Sequence, residues 1–407
     1  MATIQTSSIV LGQVAEILHD TSFMYKNAYK NVGKDFTRNS GDSITIPKPH
    51  RPAVGTSADM TGTSRTMVES STTLTLVRRN AAVDLTSAEM TYKLGGEDLL
   101  RERVTMPLAK RLAREIDLVG LDCLNKAGGK VVGRSDYTKA LSYAEAAQLN
   151  AALGRGLAPE DGRVCALSHD DWAGAAANMA SYFNPQTVLS DTMKRGGVAG
   201  DLAGMMWYPT ASAPSFTIAC DDAVGAINDG SIAEGDTTLV MNTLGTGKIY
   251  AGQSFTVADC YEIDPETQTS TGKLYQFVVA SDATISGNAA TVTVCQAMYT
   301  TTTDRTKANM NSLPVNGKTV TFLEGAISKA GKRIFAWHPN ALLFASVDLY
   351  KPKAGVLSES ISLDGLNMRL VDYGDGITDS YGTRLDIEFG FAAIYPELIA
   401  STAGQLI

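Results

Sequence analysis

The sequence predicts an α+β fold interrupted by an inserted small all-β domain, and three observations predict it. Residues Thr37 to Leu85 carry no helical pattern and no core of their own, a long capped helix follows them directly, and between residues 221 and 325 helical periodicity gives way to short strands before mixed sequence returns. At 407 residues with 44% hydrophobic and 19% charged side chains, the chain can bury a large core and should divide into two or three domains.

Taken in order, Ile9 to Leu18 reads as an N-terminal helical segment, and residues 1–36 as an N-terminal arm. Next comes a hairpin over residues 37–85. In Ser43-Ile44-Thr45-Ile46-Pro47 and in Thr72-Thr73-Leu74-Thr75-Leu76-Val77, apolar and hydroxyl residues alternate with period two, and Thr and Val favour the pleated conformation. Between them Pro47, Pro49, Pro52, Gly55 and Gly62 sit among Ser, Thr and Asp, a loop too long for a tight turn. An isolated two-stranded ribbon is marginal in water, so this segment reads as a projecting arm that other chains complete. Composition alone also fits a disordered linker over residues 47–71.

Three hydroxyl–carboxylate pairs mark helix starts: Thr86 with Glu89, Ser142 with Glu145, and Ser168 with Asp171. The first leads through Leu99, Leu100 and Val104 to Leu108, Leu112, Ile116, Val119 and Cys123, an apolar stripe at spacings of three and four, and Gly128-Gly129 ends it. Pro107 either falls in the first turn of a new helix beginning near Thr105 or kinks one continuous helix; Met106 to Lys126 alone would span about 30 Å. Residues 86–134 are therefore a spine. From Ala140 to Thr210 the pattern is helix, strand, helix, with Arg163 to Leu167 as a buried strand and Asp170 to Phe183 as the following helix.

After Pro214, strands are expected at Thr238 to Met241, Ser254 to Val257, Leu274 to Val279 and Ala290 to Val294. Helical or mixed sequence returns at Lys332. The chain closes with Leu385, Ile387, Phe389 and Phe391 alternating against Arg384, Asp386, Glu388 and Gly390, a half-buried strand. The β module is thus an insertion. No repeat of fixed period and no low-complexity tract is present.

Composition excludes several classes. No stretch approaches the roughly 18 to 20 apolar residues of a membrane span, and Met1-Ala2-Thr3-Ile4-Gln5 lacks the basic start of a signal peptide, so the protein is expected to stay where it is made. Cys123, Cys165, Cys220, Cys260 and Cys295 are odd in number and widely spaced in apolar settings, as buried free thiols would be. A net charge of −8 argues against general nucleic-acid affinity, which needs clustered Lys and Arg.

Catalytic signatures are missing. Gly245-Thr246-Gly247-Lys248 resembles the end of a phosphate loop, but Asn242 stands where the first Gly is needed and Ile249 where a magnesium-binding hydroxyl would sit, so it reads as a turn. His19, His50, His169 and His338 have no second metal ligand at helical spacing. Asp372, Asp375 and Asp379 lie in a Gly-rich stretch without the terminal carboxylate of a calcium loop, which favours a plain turn. Asp221-Asp222 and Asp170-Asp171 are adjacent pairs that point apart, a loop and a helix cap rather than opposed glycosidase carboxylates. No cofactor, no metal and no enzymatic activity are expected.

The order of parts resembles the Hong Kong 97 phage coat fold, with its N-arm, extended loop hairpin, spine helix, split α+β domain and closing strand. Within that class the chain resembles the coat protein family of phage P-22, whose members carry a β-barrel insertion. The residues that carry the resemblance are Ala251 to Val257, Tyr261 to Thr267 and Gly272 to Phe277, with Phe335 to Ala341 and Phe344 to Leu349 at the return into the main fold. The resemblance implies a peripheral domain (86–134 and 382–407), an axial domain in two parts (135–220 and 331–381) and an insertion over 221–330. It further implies a shell-forming structural protein: hexamers and pentamers of itself closing into an icosahedral phage head around double-stranded DNA, with scaffolding and portal proteins as partners, assembled in the host cytoplasm, without sequence-specific DNA binding and without a membrane.

Inter-subunit contacts implied by that resemblance fall on Lys48, Arg51 and Arg65 in the loop and on Arg78 and Arg79 after it, against acidic residues of a neighbour. The insertion's Asp221, Asp222, Asp229, Glu234 and Asp236 are the acidic candidates, with Asp259 to Lys273 as a second loop. The plain alternative is solvated surface charge, worth roughly 0 to 1 kcal/mol each. The first acidic loop looks shorter than a bridging role between capsomers requires. Some relatives of the wider fold weld neighbours by a Lys–Asn isopeptide bond, but this loop offers only Lys48, and no crosslink is expected. An encapsulin-like compartment shell uses the same fold, and the β insertion favours the phage coat. A tail or decoration protein would leave the spine helix without a purpose.

Overall fold

The computed structural model describes residues 14–18, 21–30, 43–49, 51, 58, 70–86, 106–134, 137–179, 201–218, 223–300, 307–324, 329–351, 357–375, 377 and 380–406. In chain order the helices are α1 (Phe23–Lys26), α2 (Met106–Lys126), α3 (Tyr143–Arg155) and α4 (His169–Met179). The strands begin with β1 (Ser43–Lys48), β2 (Ser70–Thr75), β3 (Val77–Thr86), β4 (Lys130–Val131), β5 (Val164–Leu167), β6 (Asp201–Leu202), β7 (Met205–Pro209) and β8 (Ser215–Ile218). They continue with β9 (Val224–Ile227), β10 (Thr238–Asn242), β11 (Lys248–Ile249), β12 (Ser254–Ile263), β13 (Ser270–Val278), β14 (Ala283–Thr284), β15 (Ala289–Thr293) and β16 (Thr319–Phe322). The last are β17 (Lys329–Trp337), β18 (Leu342–Ser346), β19 (Leu357–Leu363), β20 (Leu366–Asp375), β21 (Ser380–Ala393) and β22 (Ile399–Leu406).

Contacts divide the chain into two compact units. The first comprises Met1–Ile46, Thr73–Leu121 and Leu342–Ala392. Its sheet runs β18-β21-β20-β19, with β3 on the far side of β21. In β21 Leu385, Ile387 and Phe389 are buried as expected, but the polar face is covered as well, with Asp386 only 1% exposed. Phe389 and Phe391 gather around Phe344 with ring centroids 6.2 and 5.1 Å from it. The stripe on α2 is equally clear, with Ala109, Leu112, Ala113 and Ile116 all buried. Gly120 lets the N-terminal segment approach this helix, since a Cβ there would lie 2.8 Å from Met24 Cε.

Pro107 is the second described residue of α2; residues 101–105, on which the choice between a new helix and a kinked one turns, lie outside the described residues. The start expected at Thr86 and Glu89 lies outside the described residues apart from Thr86, which ends β3. Residues 14–18 of the expected N-terminal helix are helical, and 9–13 lie outside.

The hairpin boundary needs correction. β1 and β2 form their own two-stranded sheet, but the second strand breaks at Leu76 and continues as β3, which pairs with β21 from Val77↔Phe389 to Thr86↔Ser380. Residues 77–85 thus belong to the main sheet, because Val77, Ala81 and Val83 alternate as β21 does and find a partner strand there. Most of the loop between β1 and β2 lies outside the described residues.

The second unit comprises Pro47–Thr72, Asp122–Ala341 and Ala393–Ile407. A mixed sheet orders β4-β22-β17-β5-β7-β6, with β8 beside β17. α3 begins with the expected capping box, Ser142 Oγ accepting the Glu145 N–H and Glu145 accepting the Ser142 N–H. α4 starts as expected at Ser168, whose hydroxyl accepts the Asp171 N–H at 3.1 Å, and is described as far as Met179. Leu149, Leu153, Cys165, Leu167, Ile334 and Ala336 share one buried core.

Three sequence expectations are corrected in this region. Lys329–Trp337 is a central strand, not helical or mixed sequence, because β5 and β22 flank it on both sides and its continuous apolar run is buried. Residues 342–381, expected with the axial domain, supply β18, β19 and β20 to the first unit's sheet. Residues 399–406, expected with the closing strand of the peripheral domain, form β22 in the second unit, paired to β17.

The β module contains the four expected strands as β10, β12, β13 and β15, in a sheet ordered β13-β12-β16-β9-β10-β15. The outer strands of that order meet: Cys295 N–H donates to Val278 O at 2.9 Å and Ala280 N–H to Thr293 O at 2.8 Å. Phe255, Phe277, Phe322, Leu239, Val292 and Met298 fill its core. Gly245 to Gly247 form the bend between β10 and β11, with Gly245 and Gly247 at φ of 71° and 104°, and Lys248 opens β11.

Candidate functional site

The loop end of β1 is the best-defined polar constellation among the described residues singled out in the sequence. β1 ends at Lys48, and three positions later Arg51 forms an ion pair with Glu397, which lies in the turn Pro396–Leu398 just before β22. The two side chains are 22% and 24% exposed. Lys48 and Arg51 line one cleft of about 270 Å³ together with Leu157, Glu266, Tyr395 and Glu397. Burial lowers the Lys48 pKa, and the Glu397 charge opposes that shift. A second, smaller cleft of about 80 Å³ shares Arg51 and Glu397 and adds Lys130, Glu262 and Tyr275. Lys130 Nζ pairs with Glu262 Oε1 at 2.7 Å; burial lowers its pKa while Glu262 works against that.

Side chains also fix the β module to the strands around it. Gln276 acts as a strand mimic: its Oε1 accepts the Val131 N–H and its Nε2 donates to Val131 O, both at 2.7 Å. Gln296 Nε2 donates to Gly128 O at 2.5 Å. At the other end, Arg333 pairs with Glu324 at 3.1 Å, with side chains 2% and 1% exposed, and Glu324 Oε2 accepts the Ser254 N–H and hydroxyl.

Arg78 and Arg79 are engaged within the first unit. Arg78 Nη2 lies 2.9 Å from Asp386 Oδ2, a buried carboxylate that Arg369 and Arg384 also hold. Burial pushes Asp386 up, yet the hydrogen bonds from the three guanidinium groups outweigh it and keep the group below the usual carboxylate range. Arg79 Nε stands 3.4 Å from Glu115 on α2. Arg65, Asp221 and Asp222 lie outside the described residues.

The remaining acidic candidates are held within the β module. Asp229 Oδ1 accepts the Ser231 N–H and hydroxyl, which lowers its pKa. Asp236 Oδ2 accepts the Ala233 N–H at 2.8 Å, and Glu234 accepts the Thr300 N–H at 3.2 Å. Glu397 and Lys130 escaped the sequence reading, while Glu262 and Gln276 entered it only within the Asp259–Lys273 loop and the Gly272–Phe277 block, without their partners. Their partners are far away along the chain and leave no local spacing to detect.

Chemically the arrangement can clamp and position. Burial pushes the Cys260 and Cys295 thiols up to about 11, away from the reactive thiolate form. Among the described residues no group of three or more His, Cys, Asp or Glu could hold a metal ion, and no helix is long and apolar enough to cross a membrane.

No curated protein matches the chain. Among solved structures it is similar to one from Mycobacterium phage Che8, with a TM-score of 0.47 at 10% identity over 94% of this chain and 90% of that one. A second is the mature capsid of bacteriophage PhiM1, with a TM-score of 0.43 at 10% identity over 94% and 86%. A third is the holo-SrpI encapsulin complex from Synechococcus elongatus, with a TM-score of 0.37 at 8% identity over 90% and 83%. Residues 1–403, nearly the whole chain, match the family described as "P22 coat protein - gene protein 5", so the chain belongs to the P22 coat protein family and is a phage major capsid protein.

Proposed function

We propose that this coat protein closes hexamers and pentamers of itself into an icosahedral head around double-stranded DNA, in the host cytoplasm and with scaffolding and portal partners. The observation that carries the proposal is the β1–β2 ribbon, which among the described residues is joined by no third strand of its own chain. Such a ribbon is marginal alone and gains a partner when it reaches a neighbouring subunit, and heterologous contacts of that kind propagate until they close. The split sheets serve as peripheral and axial domains, and the β module as an insertion domain that stabilises its subunit. On the arm, Lys48 and Arg65 are the cations offered to a neighbour's Asp221 and Asp222. DNA is enclosed without sequence recognition, in keeping with the net charge of −8.

Electron microscopy of the protein expressed alone, then with a scaffolding protein, tests this. Closed shells, tubes or spirals are expected. A monodisperse monomer or dimer under both conditions, unchanged by raised concentration, refutes it.

A further inference from the structure

β19 is the last strand of the first unit's sheet, and among the described residues it pairs with β20 alone. We propose that its open edge is a docking surface for a second copy of this chain, whose β19 adds antiparallel to it with Ser360 opposite Ser360 across a two-fold axis. The inference goes beyond the shell reading and does not rest on it, because two copies can pair whether or not a shell closes.

Which backbone groups the edge offers follows from its turn. Leu363 and Leu366 flank Asp364-Gly365, whose φ values of 50° and 87° both lie in the left-handed region. A two-residue hairpin turn of that kind makes its flanking residues a hydrogen-bonded pair, and the pattern then alternates along the ladder. Leu363, Ile361 and Glu359 therefore bond inward to Leu366, Met368 and Leu370, and the N–H and C=O of Ser360 and Ser362 point outward. The tip is held in place: the Tyr25 hydroxyl donates to Asp364 O at 2.6 Å, and Lys30 Nζ pairs with the Asp364 carboxylate at 2.7 Å.

Sheet edges usually carry a device against strand addition, such as a proline, a lysine, a bulge or a strand too short to use. β19 has none of these: it runs seven residues in unbroken register with β20 and contains neither proline nor lysine. Its sequence names the partner. Leu357-Ser358-Glu359-Ser360-Ile361-Ser362-Leu363 reads the same in both directions about Ser360, except that Glu359 exchanges with Ile361. Antiparallel self-pairing about Ser360 sets leucine against leucine and serine against serine, the self-complementarity that an isologous contact requires. The one charge falls opposite Ile361 and not opposite its own counterpart, so the like-charge repulsion that protects an acidic edge is avoided. Within its own chain Glu359 Oε2 lies 4.0 Å from Lys351 Nζ.

Cysteine crosslinking of the full-length protein tests the register, with wild type under the same diamide oxidation as background. Cα atoms of an antiparallel hydrogen-bonded pair stand about 5.5 Å apart, within disulfide reach, so Ser360→Cys should give an interchain disulfide. Ser358→Cys and Ser362→Cys, each alone, should crosslink at least about fivefold less, whereas a mixture of those two chains should match Ser360→Cys. Ile361→Lys and Ile361→Glu load one half-buried position with opposite charges, so a purely structural cost falls on both. Combined with Ser360→Cys, the lysine, set against Glu359 of the second copy, should raise the crosslinked fraction about twofold and the glutamate should lower it about twofold. Equal crosslinking at 358, 360 and 362, no disulfide at 360 in free subunits or in shells, or shifts of the same sign in the two Ile361 variants overturns the inference. A disulfide at 360 in protein that never closes shells supports the pairing and counts against the shell reading alone.

Discussion

Replacing Asp117 by asparagine tests how the N-terminal segment is held on α2. Asp117 is 7% exposed, and its Oδ1 accepts the Ser22 hydroxyl at 2.7 Å and the Met24 N–H at 3.2 Å. Ser22 caps α1 in turn, its hydroxyl oxygen accepting the Tyr25 N–H. Burial raises the Asp117 pKa from 3.8 to about 6, more than the hydrogen bonds from Ser22, Met24 and Phe23 lower it. The folded chain therefore retains a proton that the unfolded chain has released between those values. This contribution favours the folded state below about pH 4, shrinks as pH rises and is gone above about 6.

With those two pKa values the group stabilises the native state by about 1 kcal/mol more at pH 5 than at pH 8, and by about 2 kcal/mol more at pH 4. Asparagine keeps an acceptor for Ser22 and Met24 and does not titrate. Urea unfolding of unassembled wild type and Asp117→Asn at pH 5, 6, 7 and 8 isolates this one group, because every other carboxylate cancels in the difference. The variant should gain about 1 kcal/mol on wild type between pH 5 and 8. A difference constant to within about 0.4 kcal/mol over that range would refute the reasoning.

Two other perturbations follow from packing. Glu324→Ala removes the carboxylate that balances the buried Arg333 charge and should cost about 3–5 kcal/mol in thermal or urea unfolding, whereas Arg333→Met combined with Glu324→Leu should cost far less. Gly390→Ala would place a Cβ 2.4 Å from Thr75 O and should destabilise by about 1–3 kcal/mol, while Gly154→Ala in α3, with nothing within 4 Å, should be neutral or stabilise by up to about 1 kcal/mol; equal urea midpoints for the two would contradict this.

What the sequence revealed and what it hid divide along one physical line. α2, α3 and α4 were legible because caps and apolar stripes are local: Ser142 and Glu145, Ser168 and Asp171, and Leu112 with Ile116 lie within a turn or two of each other. β21 was legible because one face is core and the other polar. Lys329–Trp337 was misread because both faces are covered over Arg333–Trp337, so no alternation marks that run. The end of the hairpin was misplaced because β2 and β3 share one alternation and differ only in their partners, β1 and β21. At the site, charge type predicted that Lys48 and Arg51 matter. It carried no information on Glu397, whose relation to Arg51 is made entirely by the fold.

The charges found inside the chain also bear on what joins one subunit to the next. Of Lys48, Arg51, Arg78 and Arg79, three already have a carboxylate in their own chain: Arg51 with Glu397, Arg78 with Asp386 and Arg79 with Glu115. Asp229 and Asp236 are likewise committed to turns of their own loop, and Glu234 to the Thr300 N–H elsewhere in the β module. Few of the named charges remain for a neighbour, and an exposed pair contributes only about 0–1 kcal/mol. The hairpin, by contrast, presents backbone donors and acceptors along a two-stranded ribbon, and strand addition through such groups is not screened by salt as charge pairs are. Raising salt from 0.15 to 1 M shortens the screening length from about 8 to about 3 Å, enough to remove most exposed pairing. Shells held mainly by the arm's backbone, and multiplied over many identical contacts, should therefore survive transfer into 1 M sodium chloride as judged by light scattering. Dissociation to free subunits on that transfer would mean that surface charge, and not the ribbon, holds the neighbours together.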